Sequence, residues 1–488
     1  MDKDNKLSTK SIISYASGDI FGGGAFTLIG LLFLNFLTDS ALISGTIAGS
    51  MLLIGKIWDA VIDPFIGNLS DKTKSKHGKR RVFFLAGIFH ISACFAMLWV
   101  PLNSALWVKV IYYTLAYMLF ATSFSMTMVP YHALLAEMTK SYTERNKLVG
   151  VRAIFSNVSN LIAGVVPMII IKLFADAQNG WFGMGIIFGI FYAIPWIFVF
   201  LGTKDVKEEP PIIPLKENDY FLKSWWKNAK IVFKNKSYRL LLGIYIASYT
   251  AIDTFMAINI YFIKDYLNMR GSYTIFLGIF IIAQILSVPL FIKISSKKGK
   301  KTSLITGILL WAGTLIIMLL IKPNSSIYFM YTASLLMGIG ASGVAVTPWG
   351  ILPETMDVEE LISSKRREGI YSGFMTFIRQ ISQAVALFLT GIYIDIIGYQ
   401  IASNPNEEII QTAKTAMGIK LFYSLCPTIL LLIALYFTFK YPLNPKTFDI
   451  MQKEIDRLKN NGSKEDVDAK TKAICEEVTG MKYKDLYK

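Results

Sequence analysis

Residues 56–81 read KIWDAVIDPFIGNLSDKTKSKHGKRR: an apolar stretch holds two carboxylates, Asp59 and Asp63, then runs into six Lys or Arg residues between Lys72 and Arg81. An apolar run that ends in a short basic loop marks a helix crossing a bilayer and emerging on its cytoplasmic side. The unit recurs further along the chain. SKHGKRR at 75–81 and SKKGKKT at 296–302 share the pattern Ser-Lys-x-Gly-Lys-basic, each directly after the second apolar run of a set of six. This echo predicts a duplicated membrane protein, an arrangement that places a substrate near the midplane between the repeats.

Outward from that stretch, bilayer-length runs of about 20 residues fall at 12–37, 43–69, 82–101, 106–135, 148–175 and 180–202, and again at 238–264, 272–294, 304–321, 327–350, 369–397 and 416–440. The expected fold is all-α and integral to the membrane, with twelve transmembrane helices. The expected domains are an N-terminal six-helix bundle at 1–202, a polar linker at 203–237, a C-terminal six-helix bundle at 238–440 and a tail at 441–488. A composition of 53% hydrophobic and 17% charged residues and a mean hydropathy of +0.46 exclude an ordinary soluble domain. Helix-breaking residues inside the runs, such as Pro64, Pro130 and Pro348, are tolerated where neighbouring helices satisfy the freed backbone groups.

The net charge of +16 sits in alternate loops. Six basic residues lie at 72–81, nine from Lys204 to Arg239 and four at 297–301, whereas the loops at 38–42, 102–106, 176–180 and 398–412 hold none. The charge is therefore a topology signal that faces anionic lipid, not a nucleic-acid surface. Both termini are expected in the cytoplasm, in a bacterial plasma membrane, with a monomer as the working unit. The first apolar run is too long for a cleavable signal peptide. In the tail, Phe448, Met451, Ile455 and Leu458 recur at helical spacing and predict an amphipathic helix on the cytoplasmic face.

Few charges lie inside the spans, and each is costly. An Asp at the bilayer centre costs about 2.5–3.5 kcal/mol on insertion scales. Residues four apart share a helix face, so Asp59 and Asp63 project to one side of the second span. Two such carboxylates need either a shared proton or a hard cation between them, which is the chemistry of a coupling ion. The alternative is a salt bridge to Lys56. Asp19, in ASGDIFGGG, offers two acceptor oxygens suited to vicinal sugar hydroxyls, or else an internal pair with Arg152. Arg152 and Arg379 either donate to a substrate or tie helices together. Asp253, one turn after Tyr249, reads as a helix-to-helix bond. His132 and Trp349, the latter placed at the end of the tenth span, are candidate substrate contacts or packing residues. The basic run at 72–81 is expected to bond acids such as Glu137.

Three segments, WDAVIDPFIGNLSDKTKSKHGKRR, VPYHALLAEMTKSYTERNKLVGVRAIF and PWGILPETMDVEELISSKRREGIYSGFMTFIRQ, resemble the signatures of the glycoside-pentoside-hexuronide:cation symporters of the major facilitator superfamily. The resemblance covers about 10–440. It implies import of a sugar or sugar derivative coupled to H⁺ or Na⁺ by alternating access of two six-helix bundles. It places Asp59 and Asp63 at the family's cation carboxylates, with a possible Na⁺ there, and Ser125 at a hydroxyl ligand beside them. Asp19 falls at a sugar-binding carboxylate, Arg152 at a sugar-contacting arginine and Arg379 at a functional basic position. Two departures stand out. Ile62 replaces an asparagine that serves the cation in a sodium-using melibiose-transporting member, which moves the expectation toward H⁺. Met128 and His132 replace an acid and a tryptophan of its sugar site, which leaves a pentoside, another glycoside or an anionic hexuronide open.

Other classes fit less well. A lysolipid carrier shares the paired carboxylates, and a non-transporting sensor would need an output domain larger than the tail. Three histidines and three cysteines at unrelated spacings form no metal site, and no nucleophile-elbow or phosphate-cradling motif suggests an enzyme or a bound cofactor.

Overall fold

The computed structural model describes residues 7–139, 141–204, 206, 229–323, 325–365, 367–402, 404 and 409–487. Most of the expected linker at 203–237 lies outside them. Among the described residues, 11 helices are long and apolar enough to span a bilayer, and one shorter apolar helix, Arg81–Met97, completes the expected twelve. The first span is broken into α1 (Thr9–Ala16) and α2 (Asp19–Leu28), followed by wide helical turns to Ser40. Then come α3 (Gly45–Lys72), α4 (Arg81–Met97), α5 (Leu106–Met138), α6 (Tyr142–Lys172) and α7 (Ala177–Gly202). The second set is α8 (Lys236–Tyr261), the pair α9 (Tyr273–Leu286) and α10 (Val288–Lys298), α11 (Lys300–Ile317), α12 (Ile327–Ser363), α13 (Glu368–Ile396) and α14 (Ala413–Lys440).

By packing, the chain forms two compact units. One gathers Met1–Leu215, Met256–Ile281 and Ala384–Lys420; the other gathers Lys216–Phe255, Ile282–Gln383 and Leu421–Lys488. In the first unit the glycines of the GGG run serve helix packing. A Cβ on Gly23 would collide with Ser156 and one on Gly24 with Ser159, so α2 lies directly on α6 and Ser159 donates to the Ile20 carbonyl at 2.6 Å. The Asp395 carboxylate caps α3, accepting from the N–H groups of Gly45 at 2.8 Å and Thr46 at 2.7 Å, which satisfies orphan donors of a helix N-terminus.

In the second unit, α12 corrects the expected end of the tenth span at 350. The helix continues to Ser363 with Pro348 and Pro353 inside it. Its last turns are held by Glu359, which accepts from Tyr371 at 2.7 Å, Ser363 at 2.8 Å and Arg367 at 3.1 Å.

The tail is two helices, α15 (Pro445–Lys459) and α16 (Ala469–Thr479), where one amphipathic helix was expected. Met451, Ile455 and Leu458 are buried as their spacing predicts. Glu454 is buried with them, forked by Arg457 at 2.8 and 2.9 Å and hydrogen-bonded by the Tyr483 hydroxyl. The tail docks through Lys459–Glu360 at 2.7 Å, Tyr487 N–H to the Leu361 carbonyl at 2.8 Å and Ser237 to the Val478 carbonyl at 2.7 Å. Cys475 is fully buried there, and burial pushes its thiol up to about 12. Because the thiolate is the reactive form, maleimide should label Cys475 in the folded protein at least about a hundredfold more slowly than an exposed thiol. Mass spectrometry of the labelled protein before and after denaturation checks this.

Candidate functional site

The second span presents its carboxylates as the i, i+4 spacing predicts. Asp59 is fully buried and Asp63 partly so. Ser125, from α5, lies against both: its hydroxyl is 2.6 Å from Asp63 Oδ1 and 3.3 Å from Asp59 Oδ1. The chain admits this approach through Gly55, where any Cβ would collide with the Tyr117 ring of α5. On the other side of Asp59, Lys56 Nζ is 3.4 Å from Oδ2 and 3.1 Å from the centroid of the Phe26 ring. Lys56 is itself buried at 4% exposure. The Lys56 salt bridge weighed as an alternative from the sequence therefore forms, and it coexists with the carboxylate–hydroxyl cluster.

Asp19 and Arg152 also find each other, across 133 residues of sequence. Arg152 Nε and Nη2 each lie 3.0 Å from a separate Asp19 oxygen, the bidentate fork geometry of a strong charge-assisted pair. The guanidinium rests 4.7 Å from the Tyr131 ring centroid. Tyr131 stacks on Tyr15 at 4.4 Å, and each hydroxyl donates to the other residue's carbonyl, at 2.8 and 2.9 Å. That closed tyrosine pair fixes the platform on which Arg152 lies. Met128 packs over Gly22 beside Asp19. His132, next to Tyr131, has an exposed side chain within electrostatic reach of Arg152.

In the second unit Arg379 forks onto Asp253, with Nη1 at 2.5 Å and Nη2 at 2.8 Å. This gives the Asp253 bond between helices its partner. Trp349 lies mid-helix on α12, is 42% exposed, and donates from Nε1 to the Tyr249 hydroxyl at 2.8 Å. The basic run after α3 bonds Glu137 as expected: Arg80 Nε lies 2.8 Å and Lys79 Nζ 3.2 Å from Oε1. Arg80 also reaches Asp71 at 2.9 Å.

One polar cluster went unread in the sequence. Asp39 takes Lys264 and hydrogen bonds from Asn35 at 2.9 Å and Tyr399 at 3.2 Å, and Tyr399 also donates to Asp265 at 3.1 Å. The signal was present as KD at 264–265 inside a span.

Residues 14–445 match the family model for MFS/sugar transport proteins. The chain belongs to that family. It is a multi-pass membrane transporter of the major facilitator superfamily, not an enzyme, and the symporter resemblance read from its motifs holds. Among curated proteins it is 30% identical to a putative sulfoquinovose importer of Escherichia coli K12, covering 93% of this chain and 95% of that one. It is 25% identical to a glucuronide carrier protein homolog of the same organism, over 93% and 97%. Among solved structures, a bacterial homologue of the human lysosomal transporter Spinster superposes with a TM-score of 0.65 at 12% identity, over 89% of this chain and 97% of that one, a likeness of fold.

Proposed function

We propose that the protein is a cation-coupled symporter that imports a sugar bearing an acidic group across a bacterial plasma membrane, with both termini in the cytoplasm and one chain as the working unit. The observation that carries this reading is the single Ser125 hydroxyl set between two membrane carboxylates, Asp59 and Asp63. A bound cation offsets the charge of the two carboxylates and lowers the cost of the loaded carrier's change of facing. Coupling requires that the carrier change its facing only with cation and sugar both bound or both absent, so that no sugar crosses without the ion.

The donor set suits a proton better than Na⁺. Lys56 already lends Asp59 a positive charge, and Ile62 supplies no oxygen to a hard cation. Asp19 and Arg152 form the sugar-binding pair, with His132 beside them; Arg379 and Trp349 are a separate candidate donor and ring within the second unit. An acidic sugar suits an arginine fork and agrees with the names of the sulfoquinovose and glucuronide relatives.

Uptake by proteoliposomes of sulfoquinovose, glucuronate, glucose and xylose, each under an imposed pH or Na⁺ gradient, tests the reading. Accumulation of an acidic sugar under the pH gradient is expected. Silence across the panel with transport of a lysophospholipid instead would replace it.

A further inference from the structure

The first span is broken at Ser17 and Gly18, between α1 and α2, and α7 carries Pro195 inside it beside the break. There the Ser17 hydroxyl donates to the Ser14 carbonyl at 2.7 Å and lies 3.4 Å from that of Pro195. The two serines are the floor of a groove of about 340 Å³ between the first span, α6 and α7, with Ile13, Phe155, Ile194 and Phe198 among its walls. Ile13, Ile194 and Phe198 are exposed. From Ile186 to Leu201 every exposed residue of α7 is Ile, Leu or Phe, so the groove opens on a face that meets the bilayer.

The walls select the occupant. Because the Ser17 hydroxyl is committed to a carbonyl of its own helix, a sugar hydroxyl placed here would leave water for almost no hydrogen bond, which is unfavourable; hydrocarbon loses nothing. A transmembrane helix is too large, since at about 10 Å across and 5.4 Å per turn it fills about 420 Å³ for each turn, whereas an acyl chain is a single file of methylenes. The mouth is basic. Lys10 precedes Ile13, Ser14 and Ser17 by three, four and seven residues, which puts it on the groove's side of α1, one turn nearer the membrane surface. The end of α7 reaches the same level: a Cβ on Gly202 would collide with Ser14, and Lys204 follows two residues later. Both lysines are exposed, and among the described residues neither has an acidic partner. Two such ammonium groups at the headgroup end of a chain-sized groove complement the charge of a lipid phosphate.

We propose that this groove is a binding site for an anionic phospholipid, with one acyl chain lying over Ser14 and Ser17 and the phosphate held by Lys10 and Lys204. The bound lipid braces the broken first span against α7. None of these residues belongs to the carboxylate cluster or to the Asp19–Arg152 pair, so the proposal stands whichever solute is carried.

Native mass spectrometry and melting temperature of the purified full-length protein in detergent, with dioleoyl phosphatidylglycerol or dioleoyl phosphatidylcholine added, test it. The wild type should retain one phosphatidylglycerol at least about tenfold more tightly than phosphatidylcholine and be stabilised more by it. Lys10→Gln/Lys204→Gln should bring that ratio to about one, whereas Lys297→Gln/Lys298→Gln, an equal change of charge at exposed lysines of the second unit, should leave it as it is. Ile194→Trp fills the groove from its rim and should lose the retained lipid whichever headgroup it bears. The surface lysine variants carry the test should Ile194→Trp fail to fold. Equal retention of the two lipids by the wild type, or equal effects of the two lysine pairs, would mean that lipid answers to net charge alone and that the site is wrong. A retained lipid that survives Ile194→Trp, or a dimer in place of a retained lipid, would also overturn it.

Discussion

Asp59→Asn is expected to abolish uphill accumulation while leaving exchange of substrate across the membrane. With one proton carried per sugar, a pH gradient of one unit sustains about a tenfold accumulation ratio, since 1.4 kcal/mol is a factor of ten. The variant should fall to a ratio of about one. The asparagine keeps a polar group toward Ser125 but cannot cycle between charged and neutral forms. Its side effect is also legible: Lys56, 4% exposed, loses the carboxylate at 3.4 Å, and removing one partner of a buried pair costs about 3–5 kcal/mol. The double variant Lys56→Met/Asp59→Asn removes that penalty. It should recover the expression level of the wild type and still fail to accumulate, which separates lost coupling from lost stability. Measuring accumulation and counterflow on the same vesicles distinguishes the two.

Arg152→Gln should lower affinity for an acidic sugar at least about a hundredfold, the effect of removing a charge-assisted bidentate donor and stranding Asp19. Arg152→Lys should recover little, because a point ammonium cannot span both Asp19 oxygens at 3.0 Å and also lie flat on Tyr131. Asp19→Asn should do less, about tenfold, since the guanidinium stays on its tyrosine platform. Equilibrium binding of glucuronate to the purified variants checks the order Gln, then Lys, then Asn. A reversed order would mean that the pair only ties α2 to α6.

What could be read from the sequence follows from the membrane's energetics. Spans and carboxylates are conspicuous because apolar runs must be long and every charge within them is costly. The spacing of Asp59 and Asp63 specified a shared face without further information. Partner choice was less legible: Asp59 had both Lys56 and a coupling ion as candidates, and α3 places Lys56 on one oxygen while α5 brings Ser125 to the other. Pairings between distant segments, such as Asp253 with Arg379 across 126 residues, depend on which helices adjoin, and no local pattern encodes that. The expected tenth span ends at 350 because the apolar run gives way there to the acids Glu354, Asp357, Glu359 and Glu360, whereas the helix runs on past Pro353 and its far turns are held by side-chain bonds to Glu359. Glycines such as those of ASGDIFGGG admit close approach by either a ligand or a helix. The serines of α6 at Gly23 and Gly24 decide for the helix.

The most direct test of proton coupling is to add an acidic sugar to lightly buffered proteoliposomes, with no imposed gradient, and follow external pH. The account predicts an alkaline shift that scales with uptake, is unaffected by replacing Na⁺ with choline and vanishes in Asp59→Asn. Uptake that proceeds with no pH change, or that requires Na⁺, would contradict it.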